Sequence, residues 1–274
     1  MPTLRDKRAA FREMHRSGCF VIPNPWDVGS ALFLQRAGFE ALATTSAGYA
    51  WSQGRADGRV PLPAVIEHLK AMSAAVDVPI NADFESGFGA DPAAVAKSVR
   101  QAVAAGVSGL SIEDSTGDPA APLRNVADAV ARLQAARSAI DEAGGEVLLV
   151  GRAENFLVGR PDLEDTVRRL RAYAEAGADC LFAPGLQDPQ QLAVLVRALA
   201  PKPVNVLVGA NSPLTLEQLR ALGVRRISVG GGLARCAWGG FAGAVRALAA
   251  GRFDGFTGAM AHGDLNALFA DRED

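Results

Sequence analysis

The 274-residue chain is poor in aromatic side chains (6%), has only three histidines and three cysteines, and carries no surplus of either charge, its formal net being −2. Each shortage excludes something. Without surplus positive charge there is no basic face for nucleic acid or for an anionic membrane surface. No apolar run approaches the roughly 18 residues that span a bilayer. The opening stretch Met1-Pro2-Thr3-Leu4-Arg5-Asp6-Lys7-Arg8 lacks the apolar core of a signal peptide. Cys19, Cys180 and Cys236 are too few and too scattered for a disulfide framework; reduced, small buried hydrophobes in a cytoplasmic protein are expected. His15, His68 and His262 fall in helical patterns or in the tail, so solvated rings are expected and no Ser-His-Asp triad is supported.

What the chain does have is a repeating unit. Eight short apolar runs read as strands: Phe20 to Pro23, Ala41 to Thr45, Pro79 to Asp83, Gly109 to Ile112, Leu148 to Arg152, Cys180 to Phe182, Val204 to Leu207 and Arg226 to Val229. Helical patterns alternate with them, over Val28 to Arg36, Pro63 to Ala75, Pro92 to Ala105, Val126 to Glu142, Leu163 to Ala176, Pro189 to Leu199 and Leu216 to Leu222, with a last near Trp238 to Ala249. Asp91-Pro92, Asp162 and Asp188-Pro189 supply helix starts, and Gly38, Gly106, Gly177 and Gly223 supply helix stops. Strict alternation implies parallel strands, and eight of them imply closure into one (β/α)8 barrel over residues 1–274, with a doubly wound open sheet as the alternative. Residues 251–274 follow the eighth helix and carry Phe253, Phe256, Met260, Leu265 and Leu268, a tail suited to packing on a neighbouring subunit.

Three of the runs stop on charge. Asp83 and Glu85, Glu113, and Arg152 stand where their strands should end, and in parallel α/β folds such positions point into the site. Carboxylates crowded together repel unless a cation sits among them, and hard oxygen donors suit magnesium. The residues themselves therefore point to a metal-dependent enzyme acting on an anion.

The ordered series Asn24-Pro25-Trp26-Asp27-Val28-Gly29-Ser30-Ala31, Thr44-Thr45-Ser46-Ala47-Gly48, Ala82-Asp83-Phe84-Glu85-Ser86-Gly87-Phe88-Gly89, Ile112-Glu113-Asp114 and Gly151-Arg152-Ala153-Glu154 resembles the isocitrate lyase/phosphoenolpyruvate mutase superfamily from about Gly18 to Arg235. That resemblance implies a modified (β/α)8 barrel, usually a homotetramer, whose last helix is swapped between subunits. It implies Mg2+, with Mn2+ as a substitute, stabilising an enolate of a small α-keto or α-hydroxy carboxylate. Asp83 is implied as the direct ligand, with Glu85, Glu113 and Asp57 acting largely through water. Arg152 is implied as the clamp on the substrate carboxylate and carbonyl, with Glu113 and Asp57 beside it in catalysis. Ser46, Ala47 and Gly48 match the donors to the α-carboxylate, Asn205 matches a substrate-contacting asparagine, and Arg235 falls where lyases hold a distal carboxylate.

The departures matter as much. Glu85 stands where relatives commonly have Asp, and Pro184 where they often have Glu or His. The gate loop Ser115-Thr116-Gly117-Asp118-Pro119-Ala120-Ala121-Pro122-Leu123-Arg124-Asn125 lacks the Lys-Lys-Cys-Gly-His type segment whose cysteine is the acid/base in carbon–carbon cleavage. Gly230-Gly231-Gly232, with no lysine nearby, reads as a tight turn rather than a phosphate cradle. The expected function is a carbon–carbon lyase of the isocitrate or methylisocitrate type. The alternatives are an oxaloacetate decarboxylase, a phosphonopyruvate-type enzyme, or a barrel that binds a keto acid without turning it over.

Overall fold

Each of the eight apolar runs becomes a strand: β1 Phe20–Ile22, β2 Leu42–Ala43, β3 Ile80–Asp83, β4 Gly109–Glu113, β5 Leu148–Arg152, β6 Cys180–Phe182, β7 Val204–Leu207 and β8 Arg226–Ser228. The computed structural model describes residues 2–209, 212 and 214–270, so residues 271–274 of the tail lie outside the described residues. All pairings are parallel, in the order β1-β8-β7-β6-β5-β4-β3-β2. Between the two ends of that order the Ala43 N–H donates to Pro23 O at 3.0 Å, so the sheet nearly closes as a (β/α)8 barrel.

The helices are α1 Leu4–Met14, α2 Val28–Arg36, α3 Ser46–Ser52, α4 Leu62–Ala75, α5 Pro92–Ala104, α6 Val126–Glu142, α7 Leu163–Glu175, α8 Pro189–Leu199, α9 Leu216–Ala221, α10 Gly232–Ala249 and α11 His262–Phe269. Asp91, Asp162 and Asp188 accept from the amides of Ala94, Asp165 and Gln191, as N-caps should. Gly38, Gly106, Gly177 and Gly223 all take positive φ, the left-handed stop expected of them.

Helix α1 was not foreseen, and it closes the floor of the barrel. Thr3 and Asp6 form a capping box, and Phe11, fully buried, packs with Ile22, Ala41, Ala43 and Leu148. Gly109 makes room for it: a Cβ there would stand 2.7 Å from Phe11 and 2.7 Å from Asn81 Oδ1. His15, on the next turn, is buried rather than solvated, its Nδ1 bonded to Phe11 O and its ring between Phe11 and Phe20. Burial and the charge of Arg226 push its pKa down to about 3, so it is neutral. His68 is half-buried, stacked on Tyr49 at 3.8 Å. Only Cys180 is fully buried; Cys19 is half-buried and Cys236 exposed, against the expectation for all three.

Helix α10 begins at Gly232, ahead of the expected Trp238, and does not lie on the barrel wall as an eighth helix normally would. Only Ala234 and Ala247 of its 18 residues are buried, while Trp238, Phe241, Val245 and Leu248 face outward. A 3-10 turn at Asp254–Phe256 folds back on α10, and Phe253 and Phe256 are exposed beside it. Among the described residues no helix is long and apolar enough to cross a membrane.

Candidate active site

The strand ends converge at the carboxyl mouth. Arg152, ending β5, directs Nη1 to Asp83 Oδ1 and Glu113 Oε2, each at 3.1 Å, while its Nε bonds Glu154. The guanidinium also lies over the Phe182 ring, 5.4 Å from its centroid. Register explains the meeting, since Glu113 is paired with Arg152 and Arg152 with Phe182 across adjacent strands. Burial works against the charge of Arg152, but Glu113, Glu154 and Asp83 outweigh it and raise its pKa.

The carboxylates repel one another. Burial first, then the charges of Asp83 and Asp57, push Glu85 up to about 7, with Arg152 pulling the other way. Glu113 is raised by burial, against Arg152 and with the added repulsion of Glu154, Asp83 and Glu85. Asp57, on the exposed loop between α3 and α4, is pushed up by partial burial and by Asp83, against a hydrogen bond with Ser46. Glu85 itself takes φ +46°, a left-handed conformation unusual for a side-chain-bearing residue, and its carbonyl accepts from the Glu113 amide at 3.0 Å. That bend, followed by Gly87 at φ +87° and by Phe88 at φ +53°, turns the chain across the mouth.

Of these residues Asp57, Asp83, Arg152 and Phe182 line a cavity of about 190 Å³ that also takes in Ser46, Ala47, Ser111, Asn205, Leu207, Arg226, Ser228, Gly230 and Gly231, whereas Glu85 and Glu113 stand behind its wall. The sequence-derived residues Ser46, Ala47, Asp57, Asp83, Arg152 and Asn205 all line it. The Ser46 amide donates to Asp83 Oδ2 at 2.9 Å, so it positions the acid. The Gly48 amide is taken by the Thr45 hydroxyl at 3.2 Å, the N-cap of α3, and Gly48 is pressed against Trp26 where a Cβ would come within 2.8 Å. Ser-Ala-Gly is thus the start of α3.

Arg235 is not brought in. It is exposed on α10 and lines a separate groove with Trp51, Arg55 and Trp238. The gate is likewise apart: Ser115 and Leu123 pair antiparallel, and residues 120–123 line another groove with Asn155 and Arg160. Asn125 caps α6, and the Val229 and Gly230 amides are held by Asn24 Oδ1, so the glycine run is a turn. Glu154 is a fixed partner of Arg152. No motif announces the polar floor of Asn81, Ser111 and Arg226; only their spacing of two from Asp83, Glu113 and Ser228 signals a shared inward face.

The donor set of Asp57, Asp83, Glu85 and Glu113 is all hard oxygen, without His or Cys. Among the described residues no three such groups form a ready cage for direct ligation. The arrangement fits a hydrated divalent cation with outer carboxylates acting through water, because clustered acids that repel one another are relieved by added positive charge.

Residues 11–249 match the family described as phosphoenolpyruvate phosphomutase. The chain is 45% identical to a Burkholderia cenocepacia J2315 protein of known crystal structure, provisionally assigned as a lyase/mutase, over 99% of both chains with a TM-score of 0.94. It is 36% identical to an uncharacterized Mycobacterium tuberculosis protein over 81% of each chain. A phosphonopyruvate hydrolase solved with oxalate and Mg2+ is 25% identical, covering 97% of this chain and 95% of its own, with a TM-score of 0.85. Curated relatives include 2-methylisocitrate lyases and oxaloacetate decarboxylases. With the match running across nearly the whole barrel, the chain belongs to the phosphoenolpyruvate phosphomutase family, within the isocitrate lyase/phosphoenolpyruvate mutase superfamily.

Proposed function

We propose that this protein is a Mg2+-dependent enzyme that forms an enolate from a small α-keto or α-hydroxy carboxylate, and that it acts as a carbon–carbon lyase. The observation that carries this reading is the meeting of Asp83, Glu113 and Glu154 on one guanidinium, Arg152, at the mouth of the cavity. Asp83 would hold the ion, with Glu85, Glu113 and Asp57 around it. Bound there, Mg2+ would supply Lewis acidity to the carbonyl oxygen where negative charge develops. Arg152 offers a rigid fork to the substrate carboxylate, and its present acidic partners keep it fixed and charged. Phe182 and Leu157 supply the apolar part of the cavity wall.

Decarboxylation is the second reading, favoured by the gate. The gate residues Ser115 to Pro122 contain no Cys, Lys or His and do not line the cavity, and loss of CO2 needs no proton from the protein to break the bond. Incubation with oxaloacetate, isocitrate, methylisocitrate, dimethylmalate and phosphonopyruvate separates these readings by product. Chelation should abolish turnover and Mg2+ or Mn2+ should restore it; full activity after exhaustive chelation, or saturable binding without product from any of the acids, rules out the Mg-dependent lyase.

The assembly belongs to the same proposal. Helix α10 exposes Trp238, Phe241 and Val245, with Phe253 and Phe256 beside it, which suits docking on a second copy as in swapped-helix barrels. Removing residues 251–274 should give smaller or aggregated species by light scattering. An unchanged mass distribution and solubility would remove the tail from the interface.

A further inference from the structure

Four arginines of the described chain are buried: Arg8, Arg132, Arg169 and Arg226. Three have acids. Arg8 lies 3.7 Å from Glu146, Arg132 3.1 Å from Asp128, and Arg169 3.0 Å from Asp114 and 2.6 Å from Asp165. Among the described residues Arg226 has no carboxylate within ion-pair distance. It is 2% exposed, at the start of β8, and crosses the inside of the barrel. Its Nε donates to Asn205 Oδ1 at 2.8 Å and its Nη1 to Asn81 Oδ1 at 3.2 Å.

Both amides are already oriented. Asn205 Nδ2 is spent on Ser228 Oγ at 3.0 Å and Asn81 Nδ2 on Ala82 O at 3.1 Å, so each presents its oxygen to the cation. Two neutral oxygens do not offset a buried guanidinium, whose five N–H groups stay charged. Burial indeed pushes its pKa down. A barrel interior is ordinarily filled by Val, Ile and Leu layers, and a cation there without an acid is costly unless something anionic arrives.

The cavity says where the anion would come from. Arg226 lines the same space as Arg152, Ser46 and Asp83, so one cavity has a guanidinium at the strand ends and another at the start of a strand, on its floor. We infer that Arg226, with Asn81 and Asn205, is a specificity subsite that receives the distal carboxylate of an α-keto or α-hydroxy dicarboxylate whose other end is held at Arg152. This rests on the proposed keto-acid site at the mouth. It replaces Arg235, which stands in another groove, as the distal clamp. It also favours cleavage that leaves this carboxylate in the product, because a cation gripping a carboxylate opposes its departure as neutral CO2.

Calorimetry with Mg2+ tests it, using oxalate for the mouth alone, pyruvate as the keto monocarboxylate, and difluorooxaloacetate and α-ketoglutarate as keto dicarboxylates. Wild-type protein should bind the better dicarboxylate at least about tenfold more tightly than pyruvate, as expected for a buried charge-assisted contact. Arg226→Gln should erase that preference and leave oxalate affinity within about threefold. Should that variant fold poorly, Asn81→Asp settles the matter: it places an acid beside Nη1, should melt at or above wild type, and should erase the preference by satisfying the cation internally. Preference for the dicarboxylate surviving in Asn81→Asp, or absent from wild type while oxalate binds, overturns the floor subsite alone. Absence of oxalate binding in wild type overturns the keto-acid site and the subsite with it.

Discussion

Lysine in place of Arg152 should weaken Mg2+-dependent binding of oxalate or a keto acid by about 30-fold to several thousand-fold, corresponding to about 2–5 kcal/mol, although the charge is kept. The reason is geometric. Nη1 reaches Asp83 and Glu113 at 3.1 Å while Nε reaches Glu154, and only a planar fork can satisfy acids from β3, β4 and the segment after β5 together. An ammonium can serve one or two of them, leaving the remaining acids to repel one another and the incoming carboxylate. Variants of Ser115 to Pro122 are the comparison, since those residues do not line the cavity and should alter turnover and substrate choice more than affinity. Calorimetry on both sets decides: Arg152→Lys binding like wild type while the gate variants lose all affinity would place the clamp elsewhere.

The barrel and the convergence of Asp83, Glu113 and Arg152 could be read from the chain because both follow from local pattern. An apolar run with an acid at its end needs only the rule that parallel strands end at the site, and Asp-Pro and Ala-Gly pairs mark the helix limits by backbone chemistry alone. Features fixed by tertiary contacts could not be read in this way. Helix α1 looks like a polar leader because its cations Lys7, Arg8 and Arg12 carry no apolar signal, yet Arg8 donates to Val103 O at 2.9 Å and Arg12 Nε to Glu146 O at 2.8 Å, seating the helix under the barrel. Positive φ at Glu85 has no glycine to announce it. Arg226 begins a run that reads as any strand start, and its lack of an acid becomes visible only once Asn81, 145 positions away, lies beside it. Arg235 is the converse case: it matches a motif position, but α10 sets its side chain in a separate groove.

Asp114→Ala should be among the most destabilising single changes in the molecule, by about 3–5 kcal/mol, lowering the melting temperature by roughly 6–20 °C for a domain of this size. Asp114 is 1% exposed, and its carboxylate collects the Glu154 amide at 2.8 Å, Arg169 Nη1 at 3.0 Å and the Tyr173 hydroxyl at 2.6 Å. Alanine would leave a buried hydroxyl without its partner and remove one of the two acids that offset Arg169, the other being Asp165 at 2.6 Å. The same change reaches the site. The Asp114 amide bonds Arg152 O at 3.3 Å and its side chain fixes Glu154, so this residue holds Arg152 and its acid in register from behind. Asp114→Asn keeps the shape and loses the charge, so it should unfold later than the alanine variant while still weakening oxalate binding; binding, unlike melting, reports the positioning of Arg152. Asp118→Ala, on the exposed gate, should shift stability by no more than about 0.5 kcal/mol. Thermal melts of the three variants, followed by oxalate calorimetry on Asp114→Asn, give the answer. Wild-type melting in Asp114→Ala, or wild-type affinity in Asp114→Asn, would show that α7 and the Arg152 clamp are held independently of this carboxylate.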